Sequence, residues 1–216
     1  MDGHFIDKSI QPRYLFEVGR TLGRLQNCTP KSQVRHRRYW TAQGLVGKMT
    51  KFGSIEALSG VSAANQKLIS KTRRNIFKKL SAFEKRFPQR QGLIHADLHF
   101  GNIIMVKDVV GPIDFDDSGF GFLSYDLAIP LVSIENRLGL KNQKMLSTYQ
   151  EALISGYKTE REWDSHDEEI LPFLVTARKL LMLGWLNSRS DNPRLRKSMR
   201  KAFTKTIRHI KQVYGE

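Results

Sequence analysis

Three residues with hard oxygen ligands, Asp97, Asn102 and Asp114, stand close together within residues 93–126. Asp97 and Asn102 belong to a polar stretch between two apolar runs, and Asp114 follows the next apolar run. Carboxylate and amide oxygens suit Mg²⁺ and a hydroxyl proton rather than zinc or copper. The pattern therefore indicates a magnesium site beside a carboxylate that can orient a hydroxyl group.

The same segment predicts the small framework that must position these residues. Its alternation of apolar runs and polar breaks is typical of a strand, a polar loop, a second strand, a turn and a third strand that ends in acid. A hairpin of the last two strands could bring Asp97, Asn102 and Asp114 together at element ends. Taken singly, each is also an ordinary turn residue at a strand end.

The spacing His95-x-Asp97-x-x-x-x-Asn102 resembles the catalytic loop of kinases, in which the Asp orients or accepts the proton of the substrate hydroxyl and the Asn holds a metal. Asp114 stands where the metal-binding Asp of the D-F-G segment would be. The phrases HADLHFGN, IDFDDSGFG and YDLA are similar to the aminoglycoside phosphotransferase and choline kinase family, whose members act on small molecules. The resemblance is specific in the middle of the chain and looser elsewhere.

This resemblance implies a phosphotransferase that uses Mg²⁺ and ATP, or GTP, to phosphorylate the hydroxyl of a small molecule. Asp97 would be the catalytic residue, and Asn102 and Asp114 would be the metal ligands. Asp116 is a weaker candidate for a second metal.

Other residues of the segment would support the loop rather than react. His95 is expected to brace the loop, and Gly101 to let it turn back tightly. Asp126 resembles the family's buried acid at a helix start, whose hydrogen bonds tie down the catalytic loop. For His99, a position facing the site and a packing role within the loop both stay open.

The rest of the chain is predicted to be mostly helical. Apolar residues at helical spacing predict helices over residues 12–27, 65–87, 125–137, 141–157, a segment begun by the acids of 164–169, and a basic final segment opened at 191–193. The fold class is α+β, and the resemblance makes it the C-terminal lobe of a protein-kinase-like fold. That lobe would cover residues 1–216, with a catalytic segment at 93–126 and a helical subdomain at 127–216.

The N-terminal β-lobe of such kinases carries a Gly-rich cover, a phosphate-pairing Lys and the Glu that fixes it. None of these is recognisable before His95. The phrase VGRTLGRLQ instead resembles the first helix of the large lobe, in which a His often stands at Gln26. Three explanations for the unrecognisable N-terminal lobe are open: a truncated or mis-started gene product, a small lobe on a separate chain, or a weakly active remnant used for binding. Without that lobe, we expect ATP affinity and rate to fall.

The charge is uneven along the chain. The net charge is +15, yet residues 92–135 carry seven acids against one basic residue, whereas residues 71–90 and 194–216 each carry eight basic residues against one acid. A basic shell around an acidic centre suits a cation site and attracts a phosphate-rich nucleotide. Each basic run is also typical of a solvated helix face. The alternative function is a non-catalytic basic module, built on a degenerate kinase lobe, that binds RNA or an acidic partner; nucleic acid is the less favoured partner.

Length and composition restrict the class of protein further. With 216 residues, 40% of them hydrophobic, the chain can bury a sizeable core. Cys28 is the only cysteine, so no internal disulfide can form. The N-terminus lacks the apolar core of a signal peptide, and no apolar run reaches transmembrane length. We therefore expect a cytoplasmic protein with no membrane partner.

Two further stretches have open interpretations. The acids Asp164, Asp167, Glu168 and Glu169 could line a pocket for a cationic acceptor, or they could supply the negative charge of a helix first turn. The stretch RHRRYW, which ends at Trp40, could touch phosphate or a base, or it could be a surface segment with Trp40 turned inward.

Overall fold

The computed structural model describes residues 3–6, 10–28, 37–48, 50, 52–56, 58–139 and 142–215. They form two compact units. Unit 1 comprises Met1–Tyr39 and Gln89–Pro172, and unit 2 comprises Trp40–Pro88 and Phe173–Glu216. The boundary between the units at Pro172 lies within residues 127–216, and the helical subdomain predicted there stays a prediction.

The described chain contains seven helices and six short strands. The helices are α1 (Pro12–Asn27), α2 (Ala42–Val46), α3 (Ala63–Arg86), α4 (Tyr125–Leu138), α5 (Gln143–Lys158), α6 (Ser165–Asn187) and α7 (Arg196–Tyr214). The strands are β1 (His4–Phe5), β2 (Arg38–Trp40), β3 (Gln91–Ile94), β4 (Ile103–Val106), β5 (Val109–Pro112) and β6 (Gly119–Phe122).

Two three-stranded sheets surround the catalytic segment. The first has the strand order β1-β4-β5, and β4 and β5 form the predicted antiparallel hairpin. The second has the order β2-β6-β3, with β3 and β6 antiparallel. Strands β1, β2 and β6 were not predicted. Strands β1 and β2, with two and three residues, are too short to show a period of two, and they form because β4 and β6 offer free edges. Strand β6 has the sequence GFGF, in which the glycines weaken the strand signal.

Helix α1 packs closely against α5 in unit 1. A Cβ atom added at Gly19 of α1 would collide with the carbonyl of Leu153, and one added at Gly156 of α5 would collide with that of Phe16. The missing side chains therefore let the two backbones touch. This contact fixes the position of α1, whose last turn carries the buried residue Gln26.

Unit 2 is built from α2, α3, α7 and the part of α6 that follows Pro172. Ser62 caps α3 by accepting a hydrogen bond from the Asn65 amide. Buried Arg73 of α3 donates to the Val46 carbonyl at 2.9 Å and to the Glu56 carboxylate at 2.6 Å, which anchors α2 and the following loop. Trp40 is 1% exposed, so it is turned inward. In the described residues, every helix is too short or too polar to cross a membrane.

Candidate active site

The catalytic loop follows β3 and contains strained backbone at its start. Ala96 is fully buried and has a φ of 66°, a conformation that L-residues rarely adopt. Asp97 follows it and is half-buried. A turn of 3₁₀ helix, Phe100–Asn102, then leads into β4. The reversal at Ala96 lets Asp97 project from the end of β3 instead of continuing the strand.

Asn102 links the backbone of Asp97 to the backbone just before Asp114. Its Nδ2 donates to the Asp97 carbonyl at 3.0 Å, and its own carbonyl accepts from the Ile113 amide at 3.0 Å. Asp114 is the next residue. The three predicted site residues are therefore held together by adjacent hydrogen bonds, although they lie in separate parts of the sequence.

The chemistry of these donors fits a hard divalent cation. Because the Asn102 carboxamide is planar, the bond from its Nδ2 to Asp97 also fixes the direction of its Oδ1, to which no described residue donates. Within the same described ranges, the Asp114 carboxylate has neither a hydrogen bond nor an ion pair, and its φ of 64° is strained. No group of three or more His, Cys, Asp or Glu residues in the described part could hold a metal. One amide and one carboxylate suit Mg²⁺, which completes its shell with water and nucleotide phosphates.

His95 connects the catalytic loop to the segment before Asp114. Its Nδ1 accepts from the Asp97 amide at 3.3 Å, so the ring proton is assigned to Nε2, which contacts the Ile113 carbonyl at 3.1 Å. The ring also packs against Phe115 with a centroid distance of 4.5 Å. These contacts are those of a brace, because both ring nitrogens are occupied by backbone groups.

The catalytic loop turns without a left-handed backbone conformation at Gly101, where the sequence predicted a tight turn. Positive φ values occur at Ala96 and Asp114, whereas Gly101 does not have one. A Cβ at Gly101 would meet the His99 ring at 2.9 Å, and the Gly101 amide donates to His99 Nδ1 at 3.0 Å. A side chain at Gly101 would therefore have to displace the His99 ring. The other nitrogen of His99, Nε2, lies 3.8 Å from the Asp97 carboxylate.

Asp126 lies at the start of α4 and is fully buried under the catalytic loop. Its carboxylate accepts from the amides of His95 at 3.0 Å and Ala96 at 2.8 Å. Burial raises the pKa of Asp126, while the hydrogen bonds from Ala96, His95 and Gln26 oppose that rise. The carboxylate thus holds the two residues whose backbone sets the direction of Asp97.

Gln26 completes the hydrogen-bond network around Asp126, although the sequence alone indicated no role for it. Its Nε2 donates to both Asp126 and the Leu123 carbonyl, each at 3.1 Å, and its Oε1 accepts from the Tyr157 hydroxyl at 2.7 Å. Burial raises the pKa of the Tyr157 phenol, so Tyr157 stays protonated and donates. The only sequence signal was that Gln26 occupies a position where relatives often have His.

The acids at the start of α6 bind within unit 1. Arg90 donates to Asp164 at 2.6 Å and to Asp167 at 2.9 Å, and Ser124 donates to Asp167 at 2.7 Å. Burial would raise the pKa of Asp164, but hydrogen bonds from the Asp167 and His166 amides and the charge of Arg90 outweigh it, so the pKa is lowered. For buried Asp167, the effect of burial prevails and the pKa is raised. Both carboxylates are thus used to attach α6 to Arg90.

The acids beside Asp114 differ in their surroundings. Asp117 pairs with Arg38 of β2 at 3.2 Å. Asp116 is exposed and pairs with no residue in the ranges that the structure describes. Arg37 donates to the Phe115 carbonyl at 3.3 Å. The described end of the RHRRYW stretch therefore contacts the Asp114 segment; Arg35 and His36 lie outside the described residues.

Solved structures show which class of protein has this fold. A microcompartment-associated aminopropanol kinase matches 93% of this chain with a TM-score of 0.77 at 28% identity, and the match covers 61% of that kinase. An amicoumacin kinase solved in complex with AMP-PNP, Ca²⁺ and Ami matches 98% of this chain with a TM-score of 0.75 at 19% identity, and the match covers 63% of that chain. The fold is that of protein-kinase-like enzymes that act on small molecules, and the predicted fold class is confirmed.

Sequence comparison defines the family. The model of the phosphotransferase enzyme family matches residues 2–168, so the chain belongs to that family. The amicoumacin kinase of Bacillus subtilis (strain 168) is 29% identical over 118 residues, which are 50% of this chain and 34% of that protein. The homoserine kinase of Rhodopseudomonas palustris (strain TIE-1) is 36% identical over 104 residues, 45% of this chain and 31% of that protein. The chain thus spans only about a third of these relatives, and the predicted family resemblance is confirmed.

Proposed function

We propose that this chain supplies the metal-binding and acceptor-orienting part of a phosphotransferase that transfers a phosphoryl group from ATP, or GTP, to a small-molecule hydroxyl with the help of Mg²⁺. The observation that carries the proposal is the pair of hydrogen bonds through which Asn102 joins the Asp97 carbonyl to the backbone before Asp114. The bond from Ile113 continues the antiparallel ladder of the β4–β5 hairpin, whereas the bond from the Asn102 side chain to Asp97 is specific to a side-chain amide at this position.

Each site residue has a distinct role in the proposal. Asn102 Oδ1 and the Asp114 carboxylate would hold Mg²⁺, which when bound neutralises charge on the phosphate oxygens. Asp97 would accept a hydrogen bond from the acceptor hydroxyl, orient it and receive its proton. His95 and Asp126 would keep the loop in place through the contacts described above. Catalysis of this kind depends on positioning and charge rather than on a covalent intermediate.

The nucleotide-covering lobe would dock where apolar side chains flank the metal site. Ile113 is 38% exposed and Phe115 is 43% exposed on either side of Asp114, and Phe5 of β1 is 43% exposed on the sheet that contains β4. Large apolar side chains grouped beside a functional carboxylate suit contact with a nucleotide or with another protein segment. We propose that a preceding segment or a separate chain covers them, and that nucleotide affinity is weak without it.

The acceptor is proposed only as a small molecule with a reactive hydroxyl. The sequence analysis suggested a cationic acceptor because of four acids at the start of α6. Asp164 and Asp167 bind Arg90, which neutralises part of their charge, whereas Glu168 and Glu169 are exposed.

The test is a titration of the chain with a fluorescent ATP analogue in the presence and absence of Mg²⁺, with binding followed by anisotropy. Binding should require the metal. Asp114→Asn should weaken binding about 100-fold, because loss of a residue that only supports a metal ligand already lowers metal affinity by up to about 100-fold. Asp108→Asn removes an equal charge from an exposed carboxylate in the turn between β4 and β5, and it should have little effect. Metal-independent binding, or equal effects of the two substitutions, would show that the metal site is wrongly assigned.

A further inference from the structure

The positive charge of the protein resides in one of its two units. Unit 2 contains 21 Lys and Arg residues against 4 Asp and Glu, a formal charge of +17, while unit 1 contains 15 against 17, a charge of −2. The basic runs seen in the sequence therefore belong to one body, whereas the candidate active site lies in the other. A phosphate-binding role in the reaction does not account for this separation, because the metal site is in unit 1.

A groove between α7 and the start of α3 is the most distinct feature of the basic unit. Its volume is about 620 Å³. The lining residues are Gly60, Val61, Ser62, Asn65, Arg200, Phe203, Thr204, Ile207, Arg208 and Lys211. Three of them are cations and none is an acid. The groove therefore offers positive charge that its own walls do not neutralise.

The three cations of the groove are available to a ligand. Arg200, Arg208 and Lys211 are exposed, and among the described residues none of them forms an ion pair. They span 11 positions of α7, which is about 16 Å along the helix axis.

The floor of the groove is apolar and partly aromatic. Phe203 and Ile207 lie half-buried between the cations. An aromatic ring among cations is the arrangement by which proteins stack a base while binding the adjacent phosphates. At one end, the Asn65 side chain makes no hydrogen bond with any described residue, and a side-chain amide can pair with a ribose 2′-hydroxyl.

Unit 2 carries further cations outside the groove. Exposed Lys67, Lys71, Arg74 and Lys78 lie at helical spacing on the side of α3 opposite to Asn65. On α7, burial lowers the pKa of Lys205, and repulsion from Lys179 and Lys201 lowers it further. A short acidic peptide confined to the groove would leave the α3 cations uncompensated, whereas a polyanion long enough to pass around α3 would reach both sets.

We infer that unit 2 binds single-stranded RNA, with phosphates on Arg200, Arg208 and Lys211, a base on Phe203, and a ribose hydroxyl near Asn65. This function is additional to phosphoryl transfer and does not depend on it. The groove and the metal site share no residue.

The inference is tested with a labelled 20-nucleotide RNA of mixed sequence, titrated with the full chain in EDTA at several salt concentrations. The slope of log affinity against log salt is negative, and each lost phosphate contact should reduce its magnitude by about 0.7. The triple variant Arg200→Gln, Arg208→Gln, Lys211→Gln should therefore reduce the magnitude by about 2. The matched control, Arg137→Gln, Lys144→Gln, Lys158→Gln, removes the same charge from exposed positions of unit 1 and should leave the slope unchanged.

Two further measurements separate RNA from other polyanions. Phe203→Leu keeps the apolar volume but removes the stacking surface, and it should weaken RNA binding about tenfold. DNA of the same sequence should bind more weakly than RNA. Equal loss in the two triple variants would overturn the site. Equal binding of DNA and RNA would show that the ligand is not specifically RNA. Undiminished RNA binding by Phe203→Leu, together with displacement of the RNA by poly-glutamate, would show the same. EDTA removes the metal, so failure of the phosphotransferase proposal cannot produce or abolish these results.

Discussion

Replacement of Asp126 by Asn is the most direct test of how the catalytic loop is held. The Asp126 carboxylate accepts from Ala96 on one oxygen and from His95 and Gln26 on the other. The Asn amide would turn so that its oxygen keeps His95 and Gln26. Its NH₂ would then face the Ala96 amide, which has been 2.8 Å from the carboxylate. Gln26 cannot compensate, because its two polar groups also bind Leu123 and Tyr157.

The expected cost follows from the donors that lose an acceptor. The Ala96 N–H and the new NH₂ group would both be buried and unpaired, at about 1–3 kcal/mol each. Burial disfavours the charged form of Asp126, so removal of the charge offsets part of this loss of stability. The net loss of unfolding free energy should be about 3 kcal/mol, which for a chain of this size lowers the melting temperature by about 6–12 °C.

The assay combines urea denaturation with amide hydrogen exchange. Denaturation should show the loss of about 3 kcal/mol, and exchange at Ala96 should accelerate while His95 keeps most of its protection. Asp116→Asn makes the same chemical change at an exposed carboxylate and should alter stability by less than about 0.5 kcal/mol. A loss below about 1 kcal/mol, or equal acceleration at Ala96 and His95, would refute the proposed division of hydrogen bonds.

Three further predictions concern packing, backbone strain and pH. Gly156→Ala should destabilise by about 2 kcal/mol or more, because the new Cβ would collide with the Phe16 carbonyl, and this outweighs the roughly 1 kcal/mol gain in helix propensity. Ala96→Val should cost about 3 kcal/mol in urea denaturation, since a β-branched residue tolerates positive φ poorly, whereas Ala96→Gly should change stability by less than about 1 kcal/mol. Asp164→Asn should destabilise at neutral pH through Arg90, and the difference from the native chain should shrink as pH falls below 3.8, because the folded-state pKa of Asp164 is lowered from that value.

Each of these outcomes has a matched comparison. Ser155→Ala adds no Cβ on the exposed side of α5, so it should be neutral, and equal effects at Ser155 and Gly156 would contradict the helix contact. For residue 96, equal stability of the Val and Gly variants would exclude strain at that position. In acid titrations, an Asp164→Asn difference that stays constant from pH 7 to pH 2.5 would mean that the carboxylate charge does not contribute.

The sequence by itself determined the class of protein and most of the helices. The spacing from His95 to Asn102, followed by Asp114, predicted the kinase family that the family model and the solved structures confirm. Helix α1 has the predicted bounds, since its apolar residues repeat over four turns and Pro12 marks its start. These signals are local, so they can be read from neighbouring positions along the chain.

Only the tertiary structure decided which polar groups meet. Gln26 and Asp126 are 100 positions apart, and Arg90 and Asp167 are 77 apart. The acids at the start of α6 have the same pattern whether they line a pocket or anchor a helix, and it is the position of Arg90 that selects the second role. A carboxylate's partner depends on which segments fold against it, and spacing along the chain carries no information about that choice.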